Sequence, residues 1–378
     1  MNKSSISFLI PCLNESATLP YVLEKVHNLK LNELYDRNVE VILSDNGSSD
    51  GSIEIAEKFN VRVIHCTERG YGAALKFGIQ SANNDIIIYA DADNTYDFLE
   101  SIKLINEIEN GYDLVIGSRL KGHIQKNAMP FIHRFIGTPI LTLIINILYN
   151  KTSSKISDCN SGFRCFQKRK FNEWEIHGSG MEFASEMLVK ALKHNANFSE
   201  VPINLYKDMR NRVPHLKTWR DGMRHLLQIF LNSPKFFNIS GSVIFLFSWL
   251  IIVASLFFGP LLFFKFSILG IHTIMFSMLG TFFGLLIWGI GLNLNARQND
   301  PIKVYNLALN MIEDKLLIFF CILFLISAGL FSLIIYKWSL NHFIFLAIEK
   351  ETLAITSFAA DIIFIFSSVF SANLIKRI

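Results

Sequence analysis

Over residues 1–115 short apolar runs of strand length alternate with amphipathic stretches of helix length. Residues 5–11, 39–43, 61–65, 85–90 and 113–117 read as strands. Between them, helices are predicted from Thr18 and Pro20 to about residue 29, after Asp50-Gly51, over 71–82 and over 97–109. Pro just inside a helix start is favourable, because its missing N–H has no partner there in any case. Strands alternating with helices of this length predict an α/β domain with a doubly wound, mostly parallel sheet. The last third follows another pattern. Residues 239–264 and 316–336 carry no charge, 266–296 only the imidazole of His272, and 353–375 only Asp361. About 20 apolar residues span a bilayer. Four transmembrane helices are therefore predicted, at about 239–264, 270–294, 316–337 and 353–375. The domains are predicted as 1–236 and 237–378.

Composition agrees with a membrane anchor: 51% of the 378 residues are hydrophobic and 34 are Phe. Residues 6–11 are too short for a signal h-region and lack a cleavage site, so the N-terminal domain is expected in the cytosol. Lys235, Arg297, Lys303, Lys315, Lys376 and Arg377 would then lie inside, against Lys265, Lys337 and Lys350 outside, as the positive-inside rule requires. A multi-pass integral membrane protein is the expectation. The five cysteines form no C-x-x-C pair and are expected as free or buried thiols on a reducing face. The net charge of +4 matters through its placement. No acid lies between Asp113 and Asp158, whereas Arg119, Lys121, Lys126, Arg134, Lys151 and Lys155 do. The apolar stretch 139–149 inside this basic segment is too short to span. From Lys207 to Lys235, seven Lys or Arg stand against Asp208 and Asp221. Both segments predict interfacial amphipathic helices, at about 128–150 and 214–236.

The fourth strand ends in Asp91-Ala92-Asp93. Open α/β sheets bind ligands at this edge. Paired carboxylates there suit a hard divalent cation that keeps some waters and binds substrate phosphates. Joined to a lipid anchor, they point to chemistry on a lipid at the membrane surface. Asp45-Asn46-Gly47-Ser48-Ser49-Asp50-Gly51 opens a helix whose N-terminus attracts anions; an Asx-type turn is the plainer alternative. Residues 70–74, around Gly72, bring a helix start close either to a nucleotide or sugar or to the sheet. Residues 158–164 line the acceptor side of a cleft or form a surface turn. Glu182 and Glu186 share one helix face, catalytic or solvated. Asp361 is an intramembrane acid, a functional candidate by default or a packing contact.

Taken in order, residues 11–15, 45–51, 70–74, 91–93, 117–119 and 158–163 resemble the family-two glycosyltransferases of the GT-A fold. More narrowly, they resemble the polyprenyl-phosphate group of dolichyl-phosphate mannose and glucose synthases. The resemblance covers about residues 5–235, and the four-helix tail is compatible with it. It implies a nucleotide-sugar donor, with Pro11, Asn14, Glu15 and Asp45 around its base and ribose. Asp91 and Asp93 would hold Mg²⁺ or Mn²⁺ on the diphosphate. Some relatives place Gln where this chain has Thr95. Ser118 with Arg119, and Arg134, match positions that receive the lipid phosphate. Arg210, Arg212 and Lys217 match cations over the donor diphosphate.

The expected activity is inverting transfer of a sugar to dolichyl or undecaprenyl phosphate, with Asp93, Arg119 and Arg134 as catalytic groups. UDP-glucose is the first expectation for the donor and GDP-mannose the second. A phosphate monoester is already anionic near neutral pH and needs no strong base. The membrane is an expected partner, a homo-oligomer is compatible, and no nucleic acid is expected. A processive polysaccharide synthase is disfavoured, because its Gln-x-x-Arg-Trp signature is missing and Trp219-Arg220 runs in reverse. A neutral lipid acceptor would need a base such as Glu182 or Glu186. A non-catalytic scaffold or transporter of lipid-linked sugars is the remaining alternative.

Overall fold

The computed structural model describes residues 5–209, 218–258, 260–263, 266–297, 313–340 and 349–377. They divide into two compact units, Met1–Ile229 and Phe230–Ile378.

In the first unit the alternation becomes β1 Ile6–Cys12, α1 Leu19–Asn32, β2 Val39–Asp45, α2 Ser52–Lys58, β3 Arg62–His65, α3 Tyr71–Ser81 and β4 Ile86–Tyr89. Next come a 3₁₀ turn at Phe98–Glu100, α4 Ser101–Glu109, β5 Leu114–Ser118, a π-helical turn at His133–Gly137 and α5 Thr138–Leu148. The unit closes with β6 Arg164–Gln167, α6 Lys168–Glu173, α7 Phe183–Lys193, β7 Phe198–Pro202 and the start of α8, Thr218–Leu231. The seven strands form one sheet in the order β3-β2-β1-β4-β6-β5-β7. All pairings are parallel except those of β6, which runs antiparallel to both β4 and β5.

Both faces of the sheet are covered, so its centre reads as an unbroken apolar run. In β4 every residue is buried. Ile86 and Ile88 face one core, with Phe8, Leu104 and Ile105. Ile87 and Tyr89 face the other, with Leu75, Phe166 and Phe183. This is the period of two that a strand imposes.

Two apolar stripes remain outside these cores. On the helical segment through α5, Phe131, Phe135, Ile140, Leu143 and Ile147 are exposed. On α8, Trp219, Met223 and Leu227 are exposed at i, i+4 and i+8, while Asp221, His225 and Ile229 are buried. The His225 Nδ1 lies 2.9 Å from the Ser185 hydroxyl. Burial pulls this imidazole down to about 4 against the opposing pull of Glu182 and Asp221, so it is neutral near pH 7.

The second unit holds α9 Pro234–Phe258, a two-stranded hairpin of β8 Leu261–Phe263 and β9 Phe266–Ile268, α10 Ile271–Ala296, α11 Glu313–Leu340 and α12 Lys350–Arg377. Four spans within these helices are long and apolar enough to cross a membrane. The first helix ends before Pro260, which cannot continue it, so the residues just beyond fold into the hairpin. Helix α10 packs against α9 and α12, and α11 against α12. Asp361 is buried on α12 and accepts a hydrogen bond from Trp249 Nε1 of α9 at 3.1 Å. Its role here is a polar tie between helices.

Gly241 and Gly284 let α9 and α10 touch backbone to backbone. A Cβ on Gly284 would lie 2.5 Å from Phe245 N, whereas one on Gly329 would meet nothing within 4 Å. Gly284→Val is expected to destabilise the membrane unit by about 1–3 kcal/mol. Gly329→Val should cost less than about 1 kcal/mol. Apparent Tm of the two variants in detergent, against wild type, checks the contrast.

Candidate active site

The strand register brings the motifs to one edge. Pro11 pairs with Ser44 and Cys12 with Asp45, and Leu9 pairs with Tyr89. Two residues on from that last pair stand Pro11 and Asp91. Because β6 is antiparallel, its N-terminal end lies at the same edge. Tyr89 and Ile116 both pair with Arg164, which sets Gly162 between Asp91 and Ser118. A Cβ on Gly162 would come 2.7 Å from Asp91 Oδ2, so only glycine allows this approach. Asp91 and the Ser118–Arg119 corner are thus two strand spacings apart, about 10 Å.

On the first-strand side, Asn14 adopts a left-handed conformation, with φ of 58°. Its amide donates to Ser48 Oγ at 2.9 Å, and its Oδ1 accepts from Ser49 N at 2.8 Å. Glu15 is buried, and its amide donates to Ser52 Oγ. Asp45, also buried, accepts from the amides of Gly47 and Ser48. Burial alone would raise its carboxyl, but hydrogen bonds from Ser48, Gly47 and His65 bring it below the usual carboxylate value. The turn at 45–51 is therefore an Asx-type turn whose carboxylate is ionised.

Each acid of the central pair is braced by a hydroxyl. Tyr71 OH donates to Asp91 Oδ1 at 2.8 Å. Burial, then the Asp91 charge, keep this phenol protonated far above its ordinary range. Thr95 donates to Asp93 Oδ1 through its amide at 3.0 Å and its hydroxyl at 2.6 Å. Thr95 thus supports Asp93. Thr18 spends no side-chain bond on capping α1; its hydroxyl donates to Ala92 O, between the two acids, at 2.8 Å.

Gly72 keeps room for the chain itself. A Cβ there would meet Gly178 O at 2.6 Å and Gly180 O at 2.8 Å. Gly70, at φ of 138°, is pressed as closely on Ser179 O. The segment 177–180 that fills this space is held by Glu182, just before α7, and by Glu186 in its first turn. Glu186 accepts from His177 N and Gly178 N, and Glu182 Oε1 from Gly180 N. Glu182 Oε2 is buried and has no hydrogen-bond partner among the described residues.

At the corner after β5, Ser118 is fully buried, with its hydroxyl 2.7 Å from that of Ser157. Arg119 grips Asp158 with Nε and Nη2, both at 2.7 Å, and with its backbone amide at 3.1 Å. The two-pronged edge expected to meet a phosphate is therefore already taken, because a carboxylate with no solvent exposure must be paired. Nη1 is the remaining terminal nitrogen of Arg119. Its pKa is raised: burial lowers it, but the Asp158 charge more than offsets that. Tyr96 lies among these groups and is pushed up to about 12 by burial, with Arg119 lowering it and Asp91 and Asp158 raising it. His133 is lowered by burial and by the Arg119 charge. Its neighbour Arg134 lays its guanidinium over the Phe135 ring, 5.3 Å from the centroid. Arg210, Arg212 and Lys217 lie outside the described residues.

A divalent ion fits this chemistry. No group of three or more His, Cys, Asp or Glu that would cage a metal occurs among the described residues. Asp91 and Asp93 supply oxygen only, which suits Mg²⁺ or Mn²⁺ that take their other ligands from water and phosphate.

Residues 7–174 match the family model described as glycosyl transferase family 2. The low-salt glycan biosynthesis hexosyltransferase of Haloferax volcanii is 34% identical over 234 residues, 61% of this chain and 54% of that protein. The chain thus spans about half the length of that relative. A dolichyl-phosphate hexose transferase of the same organism is 29% identical over 175 residues, 46% of this chain and 72% of the relative. Among solved structures, glucosyl-3-phosphoglycerate synthase of Mycobacterium tuberculosis, in complex with Mn²⁺, UDP and glucosyl-3-phosphoglycerate, is similar at 20% identity. It covers 61% of this chain and 80% of that one, with a TM-score of 0.49. The seven-stranded mixed sheet with its carboxylate pair carries the glycosyl transferase family 2 match, and four apolar helices follow it. The chain belongs to glycosyl transferase family 2.

Asp158→Asn leaves the Arg119 guanidinium without its counter-charge. The first unit is expected to lose about 3 kcal/mol. The double change Arg119→Met with Asp158→Leu should lose less, since it strands no charge. Denaturant unfolding of the three proteins tests the order.

Proposed function

We propose that this protein transfers a sugar from a nucleotide-sugar donor, with inversion, to the phosphate of a polyprenyl lipid at a cytosolic membrane face. The observation that carries the reading is the shared edge. An oxygen-only carboxylate pair and a fixed guanidinium flank Gly162, beside a helix whose outer side is apolar. A lipid whose head is a phosphate has one end for each surface. The stripe along α5 and that on α8 suit the headgroup boundary of a bilayer. The name of the dolichyl-phosphate hexose transferase relative supports the same acceptor class.

In this reading the segments at 11–15 and 45–51 receive the nucleoside. Asp91 and Asp93 would hold Mg²⁺ or Mn²⁺, held in turn by Tyr71 and Thr95. When bound, the ion supplies charge neutralisation for the departing diphosphate. Arg119, immobilised by Asp158, draws the acceptor phosphate to the edge with its positive charge and its remaining Nη1 donors. Arg134 lies on the adjoining helical turn and is poised to join it by turning off Phe135. The phosphate attacks the anomeric carbon directly, so an α-linked donor gives a β-linked glycosyl phosphate. UDP-glucose is the preferred donor assignment and GDP-mannose the next.

One observation favours a second acceptor class. The unpartnered Glu182 Oε2 is a carboxylate oxygen of the kind a hydroxyl acceptor would need as base. The product separates the two, because a glycosyl phosphate is cleaved by mild acid and a glycoside of a neutral lipid survives it.

The test uses the full chain in detergent or membranes, polyprenyl phosphate, a panel of nucleotide sugars and mass spectrometry. An acid-labile glycolipid that needs Mg²⁺ or Mn²⁺ and disappears with EDTA is expected. Asp93→Asn should lower the rate at least about a hundredfold. Product from no donor, or an undiminished rate with Asp93→Asn, defeats the proposal.

A further inference from the structure

Glu200 sits on β7 opposite Ile116 of β5. Its side chain is only 1% exposed, and it carries no part of the motifs that mark the family. Four donors converge on it. Ser157 gives its amide at 2.9 Å and its hydroxyl at 2.8 Å, Asp158 its amide at 3.1 Å and Lys121 its Nζ at 2.9 Å.

The direction of the bonds is fixed by counting protons. The Ser157 hydroxyl has one and donates it to Glu200. Its 2.7 Å contact with Ser118 Oγ must then be donated by Ser118. The Ser118 oxygen in turn accepts from the Lys121 amide at 3.3 Å. Glu200 therefore terminates a one-way chain that begins just beyond Arg119. It also fixes the main chain at 157–158, which aims the Asp158 carboxylate. Both halves of the Arg119–Asp158 pair are thus tied to one buried acid.

We propose that Glu200 is a positioning residue for Arg119: it anchors Ser157, Asp158 and Lys121 so that the Asp158 fork holds the guanidinium at the acceptor edge. This assignment rests on the reading that Arg119 receives the acceptor phosphate. Among the described residues it touches no group assigned to the donor, so its loss should be felt on one substrate only.

Glu200→Gln keeps the size and one accepting oxygen, and Glu200→Ala removes both. The readouts are kcat and KM for polyprenyl phosphate, binding of the nucleoside diphosphate followed by calorimetry, and Tm. Glu200→Gln is expected to lower kcat/KM for the acceptor about tenfold, with Glu200→Ala lower still and Gln thus rescuing part of the loss. Nucleoside diphosphate affinity should stay within about twofold of wild type. In the double variant with Asp158→Asn, Glu200→Gln should add less than about twofold, since the two act through one element. An unchanged acceptor kcat/KM in Glu200→Gln, effects that multiply in the double variant, or donor and acceptor losses that fall together with Tm would each overturn the assignment. A wild type that forms no glycosyl phosphate overturns the acceptor reading, and this assignment with it. A working wild type with an indifferent Glu200→Gln overturns the assignment alone.

Discussion

Asp158 has no solvent-exposed surface and holds Arg119 through both carboxylate oxygens. Much of the sheet edge is organised by that pairing. A carboxylate in such a place is tolerable only if charge and hydrogen bonds return what water would have given. Arg119 supplies two side-chain bonds and a backbone amide. Glu200 sets the main chain that presents the acid, and Lys121 balances Glu200. Two acids and two bases close the account of charge locally. A paired group of this kind is weak as a source of net stability, but removing one member is costly. The arrangement fixes geometry more than it adds free energy.

The antiparallel β6 makes this geometry useful. In a parallel sheet every strand delivers its carboxyl end to the same edge. A single reversed strand delivers its amino end there instead. The loop leading into β6 therefore runs along the edge that already carries the ends of β1, β2, β4 and β5. Gly162 occupies the close approach to Asp91. Arg164, fully buried, donates to the carbonyls of Cys159, Ser161 and Ala184 and so pins the loop and the start of α7 together. One loop thereby joins the carboxylate pair to the arginine corner.

Much of this edge is legible in the sequence, because local pattern decides it. The run Ile86-Ile87-Ile88-Tyr89 can only be a strand covered on both faces, and it places Asp91 and Asp93 whatever lies around them. The apolar helix before residue 150 is equally plain. Strand β6 is not, because four residues beginning with Arg164 give no alternation, and the guanidinium there is explained only by loop carbonyls of Cys159 and Ser161 together with that of Ala184 twenty residues on. Tyr71 reads as part of a small-residue turn, yet its hydroxyl is the brace of Asp91. Thr95 stands where some relatives have Gln, and its amide and hydroxyl support Asp93. Arg119 is expected to meet a phosphate, and the structure shows its two-pronged edge on Asp158. Spacing along the chain reveals which residues share an edge; it does not reveal that Asp158 has already claimed the fork.

The fate of the acids of α7 bears on the acceptor. Glu186 is committed to two backbone amides, and one oxygen of Glu182 to a third. Both carboxylates hold the segment at 177–180 against the start of α3, and that helix carries Tyr71. Their evident work is to keep this segment in place. A hydroxyl acceptor would have to recruit one of them, through the single unpartnered oxygen of Glu182, and loosen that support as it took a proton. An acceptor that arrives as a phosphate asks for neither. It brings its own negative oxygen to the edge, and what it needs from the protein is a fixed positive charge. The proposed phosphate acceptor is therefore the one that lets every buried acid of this edge keep its hydrogen bonds throughout the transfer.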